Sequence, residues 1–299
     1  MAVTTTPDLP GSSATPAAPG RAALASPGRR PSRTAANAVL LLVGVAFVVP
    51  LAWLFLSAVD PAATARTGLP ETVSTENFSA VLTADIALRP LLVSFVLSFG
   101  AAAVTVLASV LASYPLSRYQ MRFSKPFMYT VLFGTCLPVT AIMVPVFSLA
   151  VRTNLLDSLW ATALFMAATS LPMAIWMTKN FMDSVPVSLE EAAWMDGASA
   201  MSALRRIVVP LMRPGLAVVF IYVFMQAWGN FFVPFLLLRS PEKQPAAVTI
   251  YQFFGQFGAI HYGQLAAFSL LYSLPVIVLY VIVSRGIGGS FAMSGAVKG

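Results

Sequence analysis

Six stretches of the 299-residue chain run without charge for long enough to cross a bilayer. Uncharged runs of 26, 28, 26, 21 and 25 residues follow Arg33, Arg89, Lys125, Asp157 and Arg213. A sixth, of 41 residues, separates Lys243 from Arg285. Its first part, QPAAVTIYQFFGQFGAIHYGQ, is mixed and reads as loop, whereas its second part is apolar. About 20 helical residues cross the hydrocarbon core, so each run holds one crossing. The expected spans are residues 36–58, 91–115, 127–150, 159–178, 215–237 and 265–284. Lipid offers the backbone no hydrogen-bond partner, so these crossings must be helices. The fold class is therefore all-α integral membrane with six transmembrane helices.

Composition agrees. Charged residues make up 10% and apolar residues 58% of the chain, too little charge to cover a water-facing surface. The placement of the basic residues gives an orientation. The N-terminal tail, the loops at 118–125 and 179–213 and the C-terminus hold 13 of the 18 Lys and Arg, which predicts both termini on the cytoplasmic side. That bias accounts for the net charge of +7 without a nucleic-acid partner. Residues 1–33, rich in Ala, Pro, Ser and Thr, read as a disordered cytoplasmic tail preceding a membrane domain over 34–299.

The chemistry available is narrow. A single Cys136 and a single His261 provide neither a disulfide framework nor a metal cluster, and His261 reads as a surface or packing residue. The spans contain no Asp, Glu, Lys, Arg or His away from their ends, so a carboxylate-based ion site has no material. No Gly-rich loop ends in Lys-Ser/Thr, so the chain should bind no ATP or Mg itself. Pro138, Pro145, Pro172 and Pro275 fall inside crossings, where each removes a donor and can break its helix. Thr75 is placed to cap a short interfacial helix in the loop at 60–89.

In the fifth span Tyr222, Gln226 and Asn230 recur every four residues and fall within an arc of about 80°. Amides beside aromatic bulk from Trp228 suit a hydroxyl-bearing solute, and hydrogen bonding between helices is the plainer alternative. Ser94, Thr140, Thr169, Ser170, Ser269, Tyr272 and Ser273 are weaker lining positions.

Residues 186–210 concentrate charge between the fourth and fifth spans. Ser188 followed by Glu191 has capping-box spacing, Gly197 can end a first helix, and Ser199 or Ser202 can start a second. Trp194 and Met195 add apolar bulk, and Glu190, Glu191 and Asp196 add carboxylates. This pattern fits a knob for a partner's cleft or an amphipathic loop in the headgroups.

Glu191-Ala192-Ala193, three residues, Gly197, nine residues, Ile207, one residue and Val209-Pro210 resembles the EAA loop of ABC importer permeases. Val209 replaces the usual leucine, and Asp196-Gly197-Ala198 matches the sugar-importer branch. Residues 112–118, ASYPLSR, resemble the family's exit from its second span. The ending Gly295-Ala296-Val297-Lys298-Gly299 resembles the tail of MalG-like subunits of carbohydrate importers. Where that family carries Trp-Asn-Glu/Asp-Phe, this chain reads Trp228-Gly229-Asn230-Phe231 and lacks the acidic residue.

The resemblance implies the type I importer permease fold in a bacterial cytoplasmic membrane. It implies a second, MalF-like permease, two copies of a cytoplasmic ATPase that bind ATP and Mg, and an extracytoplasmic solute-binding protein. Carried onto this chain, it makes Glu190, Glu191, Ala192, Ala193, Met195, Asp196, Gly197, Leu204, Ile207 and Pro210 the coupling set, with Gly295–Gly299 reaching toward the ATPases. The solute would be a carbohydrate, with a polyol or glycerol phosphate as the alternative. A membrane enzyme or an uncoupled channel subunit fits less well, since one lacks catalytic groups and the other needs no such loop.

Overall fold

The computed structural model describes residues 33–65, 68–254 and 260–295. Residues 1–32 of the expected tail, and 296–299 of the C-terminal segment, lie outside them. The described residues are all helix and loop, with no strand. Two compact units divide the chain, Met1–Val49 and Pro50–Gly299. Helix α1 (Arg33–Val59) runs across that division. The described residues of the first unit are its N-terminal part, apolar and exposed around the helix from Val39 to Val49, as suits a segment solvated by lipid.

The second unit is built on three helices, α3 (Arg89–Arg118), α6 (Leu159–Asp183) and α10 (Arg213–Trp228). Apolar surroundings supply no hydrophobic drive between helices, so close backbone approach and hydrogen bonds must hold them. Accordingly α3 turns Ser98, Ala102, Thr105, Ser109 and Ser113 inward. Thr105 donates to the Ala167 carbonyl at 3.2 Å and Ser113 to that of Ile175 at 3.1 Å, while Ser109 and Thr178 share a bond of 3.0 Å. Against α10 the contact is aromatic: Phe99 meets Phe220 edge-on at 5.3 Å, and Phe95 meets Phe224 edge-on at 6.0 Å.

Short helices close one end. Helix α2 (Glu76–Val81) carries buried Asn77, which donates to the carbonyls of Ala58 and Asp60 at 3.2 and 2.8 Å and so satisfies groups at the end of α1. Thr75 stands at the cap position, but its side chain makes no capping bond; the Ser74 hydroxyl instead accepts from the Glu76 N–H at 3.1 Å. Gly263, in the first turn of the terminal helix, lies so close to Asn77 that any Cβ there would collide with the amide.

The other crossings differ from the expected ones in where they break. The third is two helices, α4 (Ser124–Gly134) and α5 (Val139–Arg152), at 87° to each other around Pro138. Pro145 and Pro172 stay within α5 and α6, and Pro275 within the last helix. A proline inside a helix forfeits one bond, whereas Pro138 follows Gly134 and a run of tight turn bonds that has already ended α4. The fourth crossing continues past residue 178 to Asp183. Two short helices follow: α7 (Ser188–Met195), and after a turn a second that runs from α8 (Ala200–Ala203) through a π-helical stretch, Leu204–Val208, into α9 (Val209–Leu211). The span over 215–237 stops at Trp228 and resumes as α11 (Phe232–Leu237). Helix α12 (Ala246–Gln252) and the long α13 (Tyr262–Gly295) complete the unit. Among the described residues four helices are long and apolar enough to cross a membrane, or up to six if each of two bent pairs, α4 with α5 and residues 200–211 with α10 (79°), is one crossing.

Asp157, between α5 and α6, fastens this loop to the one after α11. Its carboxylate accepts from the N–H groups of Arg239 and Ser240 at 2.8 and 2.9 Å, from the Ser240 hydroxyl at 2.6 Å and from Lys243 at 2.8 Å. Burial alone would raise its pKa, but the Lys243 and Ser240 bonds win and hold it well below the usual carboxylate range. The backbone there is left-handed, φ 62°. Replacing Asp157 with Ala should lower stability by about 2 kcal/mol, and Asn, which tolerates that φ, should lose less. Because the folded pKa is depressed, the stabilisation is complete above the ordinary Asp range and drains as pH falls toward the lower folded value. Thermal unfolding in detergent from pH 7 down to pH 3 checks both.

Candidate functional site

Two regions hold the residues singled out by sequence. In the loop between α6 and α10, α7 begins one residue earlier than the capping box requires. Ser188 lies inside the first turn, Val187 takes the cap position, and no side-chain cap forms. Glu190 and Glu191 still sit in that first turn, where the helix dipole favours anions. Gly197 adopts φ 84°. With it the Gly197 and Ala198 N–H groups reach the carbonyls of Trp194 and Ala193 at 3.0 and 2.9 Å, a helix stop that needs a left-handed residue. Ser199, rather than Ser202, then caps α8.

The expected coupling set splits in two. Glu191, Ala192, Met195, Asp196 and Gly197 are exposed, Met195 to 89%, and Ala193 is half-buried. Glu190 and Leu204 are not available to a partner and are corrected to internal roles. Leu204 packs with Val110, Tyr114, Met182 and Val208 inside the chain, and Ile207 and Pro210 are half-buried on the same segment. Glu190 is fully buried, with Arg118 Nε at 2.5 Å from one carboxylate oxygen and the Tyr114 hydroxyl at 2.9 Å from the other. Arg118 is itself 3% exposed and also donates to the Val185 carbonyl at 3.1 Å. The reason is helical register: Glu190 lies about 100° from Glu191, so when one faces out the other faces the bundle. Sequence carried one signal for this pair, an arginine ending the second uncharged run, but nothing naming its partner.

The second region is a cavity of about 710 Å³ where both backbone breaks meet. Tyr222, Gln226 and Asn230 all line it, opposite Thr169 and Ser170 of α6 and Pro138 at the α4–α5 break. Gln226 donates to the Tyr222 hydroxyl at 3.4 Å, and Asn230 Oδ1 accepts from the Val233 N–H at 3.1 Å, closing the start of α11. No charged side chain is among its lining. Irregular backbone at membrane depth survives where it borders such a cavity, because water or a solute can satisfy its polar groups. Trp228 is a correction. Two residues beyond Gln226 is a rotation of about 200°, and its ring is buried between Phe224 and Tyr272, away from the cavity. Of the weaker positions, Ser94 accepts from the Ala246 N–H, while Ser269 and Ser273 bond back to their own helix and Tyr272 bonds to the Trp228 carbonyl.

Long apolar helices, two helix breaks beside an uncharged cavity and an exposed short-helix loop define a multi-pass, all-helical membrane protein. The chain belongs to the family of binding-protein-dependent transport system inner membrane components, whose pattern matches residues 104–288. It is 30% identical over 263 residues to the trehalose transport system permease protein SugB of Mycobacterium tuberculosis, covering 87% of this chain and 95% of that one. It is 33% identical over 205 residues to the putative ABC transporter permease protein ORF1 of Streptomyces antibioticus, covering 69% and 89%. In fold it is similar to a chain of a bacterial ABC transporter involved in import of the acidic polysaccharide alginate. The TM-score there is 0.74 at 21% identity, over 87% of this chain and 99% of that one.

Removing one member of a buried ion pair strands the other's charge. Arg118→Met should therefore destabilise the chain by roughly 3–5 kcal/mol, whereas Arg118→Met with Glu190→Met should recover much of the loss. Thermal denaturation of the two single variants and the double variant measures the coupling.

Proposed function

We propose that this chain is the MalG-like transmembrane subunit of an ATP-driven carbohydrate importer. It forms half of the pathway with a MalF-like permease, crosses the bacterial cytoplasmic membrane six times and keeps both termini in the cytoplasm. The observation that carries this reading is the uncharged cavity lined by Tyr222, Gln226 and Asn230 at two helix breaks. Hydroxyl, amide and aromatic groups suit a neutral polyhydroxylated solute, and the absence of charge there leaves no ion site to drive it. The trehalose-transport relative supports the solute class.

Energy then enters through the loop. ATP and Mg belong to two cytoplasmic ATPase subunits, and the exposed face of α7, with Glu191, Ala192, Met195 and Asp196, docks in their groove. A solute-binding protein delivers the cargo on the opposite side. ATP binding draws the ATPases together, α7 moves with them, and its attachment to α3 through Glu190 and Arg118 carries the motion into the bundle.

Replacing Gly197 with Val should abolish ATP-driven uptake or the co-purification of the ATPase. A Cβ there meets nothing within 4 Å, so the defect is the strained φ of 84°, and Gly197→Asn should retain more activity. Uptake and co-purification both unchanged in Gly197→Val would remove α7 from coupling.

Asn230→Leu should lower carbohydrate uptake at least severalfold while assembly persists. Asn230→Ser, which keeps an acceptor for the Val233 N–H, separates the cavity effect from the helix-start effect. Uptake kinetics of labelled trehalose and maltodextrins in the co-expressed complex decide it; wild-type rates for Asn230→Leu with both sugars would count against the cavity.

A further inference from the structure

A second cavity, of about 860 Å³, lies between α4 and α6 and is in line with the first. The register of both helices shows the alignment. On α6, Thr169 and Met173 line the first cavity and Trp176 and Asn180 the second, each three or four residues after the last, so all four occupy one face. On α4, Lys125, Met128 and Leu132 line the second cavity, and Thr135, the residue that ends the helix, lines the first. The two cavities together therefore mark a line along the α4–α6 groove from the helix breaks toward the loops at 118–125 and 179–213.

Its chemistry changes along the way. The first cavity has no charge in its lining, whereas the second has Arg122, Lys125 and Lys179. Lys179 is neutralised by Asp183 at 2.6 Å, but neither Arg122 nor Lys125 has a carboxylate partner among the described residues. Trp176, 40% exposed, and Asn180 line the same cavity as these cations. The wall of this end is also tied to the coupling loop. Asp183 accepts from the Ser117 hydroxyl at 2.6 Å, Ser117 accepts from Arg118 at 3.3 Å, and Arg118 holds Glu190 of α7.

We propose that the α4–α6 groove is the cytoplasmic vestibule of the pathway, and that unpaired Arg122 and Lys125 make it pass neutral and anionic solutes and hold back cationic ones. The proposal rests on the pathway reading above and adds a charge filter that the uncharged first cavity does not possess. Excess positive charge in a narrow, partly desolvated passage raises the local concentration of anions and lowers that of cations, and salt screens the effect. The Asp183–Ser117–Arg118–Glu190 chain gives the vestibule a route by which α7 moves its wall.

The test uses the full complex with its partner subunits in lipid discs, carrying Asn180→Cys on a Cys136→Ser background. Modification rates are compared for a negatively charged and a positively charged methanethiosulfonate reagent. At low salt the negative reagent should react roughly fivefold faster or more. Arg122→Gln with Lys125→Gln should bring the two rates together, and ATP with vanadate should slow both severalfold as the vestibule closes. Equal rates in the parent, reaction only with a lipid-soluble maleimide, or rates indifferent to nucleotide would each overturn the proposal, the second because the groove then faces lipid. Sugar uptake is measured on the same preparations. If the charge preference and nucleotide dependence persist without carbohydrate uptake, the vestibule stands and only the carbohydrate assignment falls.

Discussion

A backbone in lipid has to satisfy its own polar groups, and the architecture follows from where that requirement is relaxed. Helices α3, α6 and α13 meet it by running unbroken, even with a proline inside each. The chain departs from helix between α4 and α5 and again between α10 and α11, and both departures border one cavity. Turn bonds at Thr135–Leu137 and at Gly229–Asn230 satisfy part of the backbone there, and the cavity beside them leaves room for water to satisfy the rest.

The buried pair of Glu190 and Arg118 plays the complementary part at the other end. An ion pair with both members almost wholly buried adds little net stability over an apolar replacement, yet its loss on one side alone is severe. Its value is geometric. It fixes the orientation of α7 against the end of α3, with Tyr114 and the Val185 carbonyl filling further hydrogen-bonding positions. With Glu190 held inward, Glu191 and Met195 face outward. The adjoining Ser117 and Asp183 extend this attachment to the charged end of the α4–α6 groove. Loop, bundle and groove are thus joined by hydrogen bonds and do not depend on apolar packing alone.

Sequence and structure agree most closely where a local property decides the outcome. Charge-free runs of at least 21 residues locate apolar helices because burying an ion in hydrocarbon is prohibitive. Gly197 was legible as a turn because few other residues adopt a left-handed backbone, and the fourfold spacing of Tyr222, Gln226 and Asn230 was legible as one face because a helix repeats every 3.6 residues. The same rotation rule, applied to Trp228, would have moved it to the opposite face, where the structure buries it. The capping box at Ser188 matched in spacing but not in position, since the helix started one residue sooner.

What the sequence alone determined, then, is the class of protein, the apolar segments and the face of the fifth span that lines the cavity. Each is set by composition or by a short-range period. Only the tertiary structure decided which prolines break their helices, which of two adjacent glutamates turns inward, and that Asp157 joins two loops 82 to 86 residues apart. Those choices depend on which side chains meet across the bundle. A buried charge or an open backbone group is tolerable only beside its partner, and the partner of Glu190 lies 72 residues away.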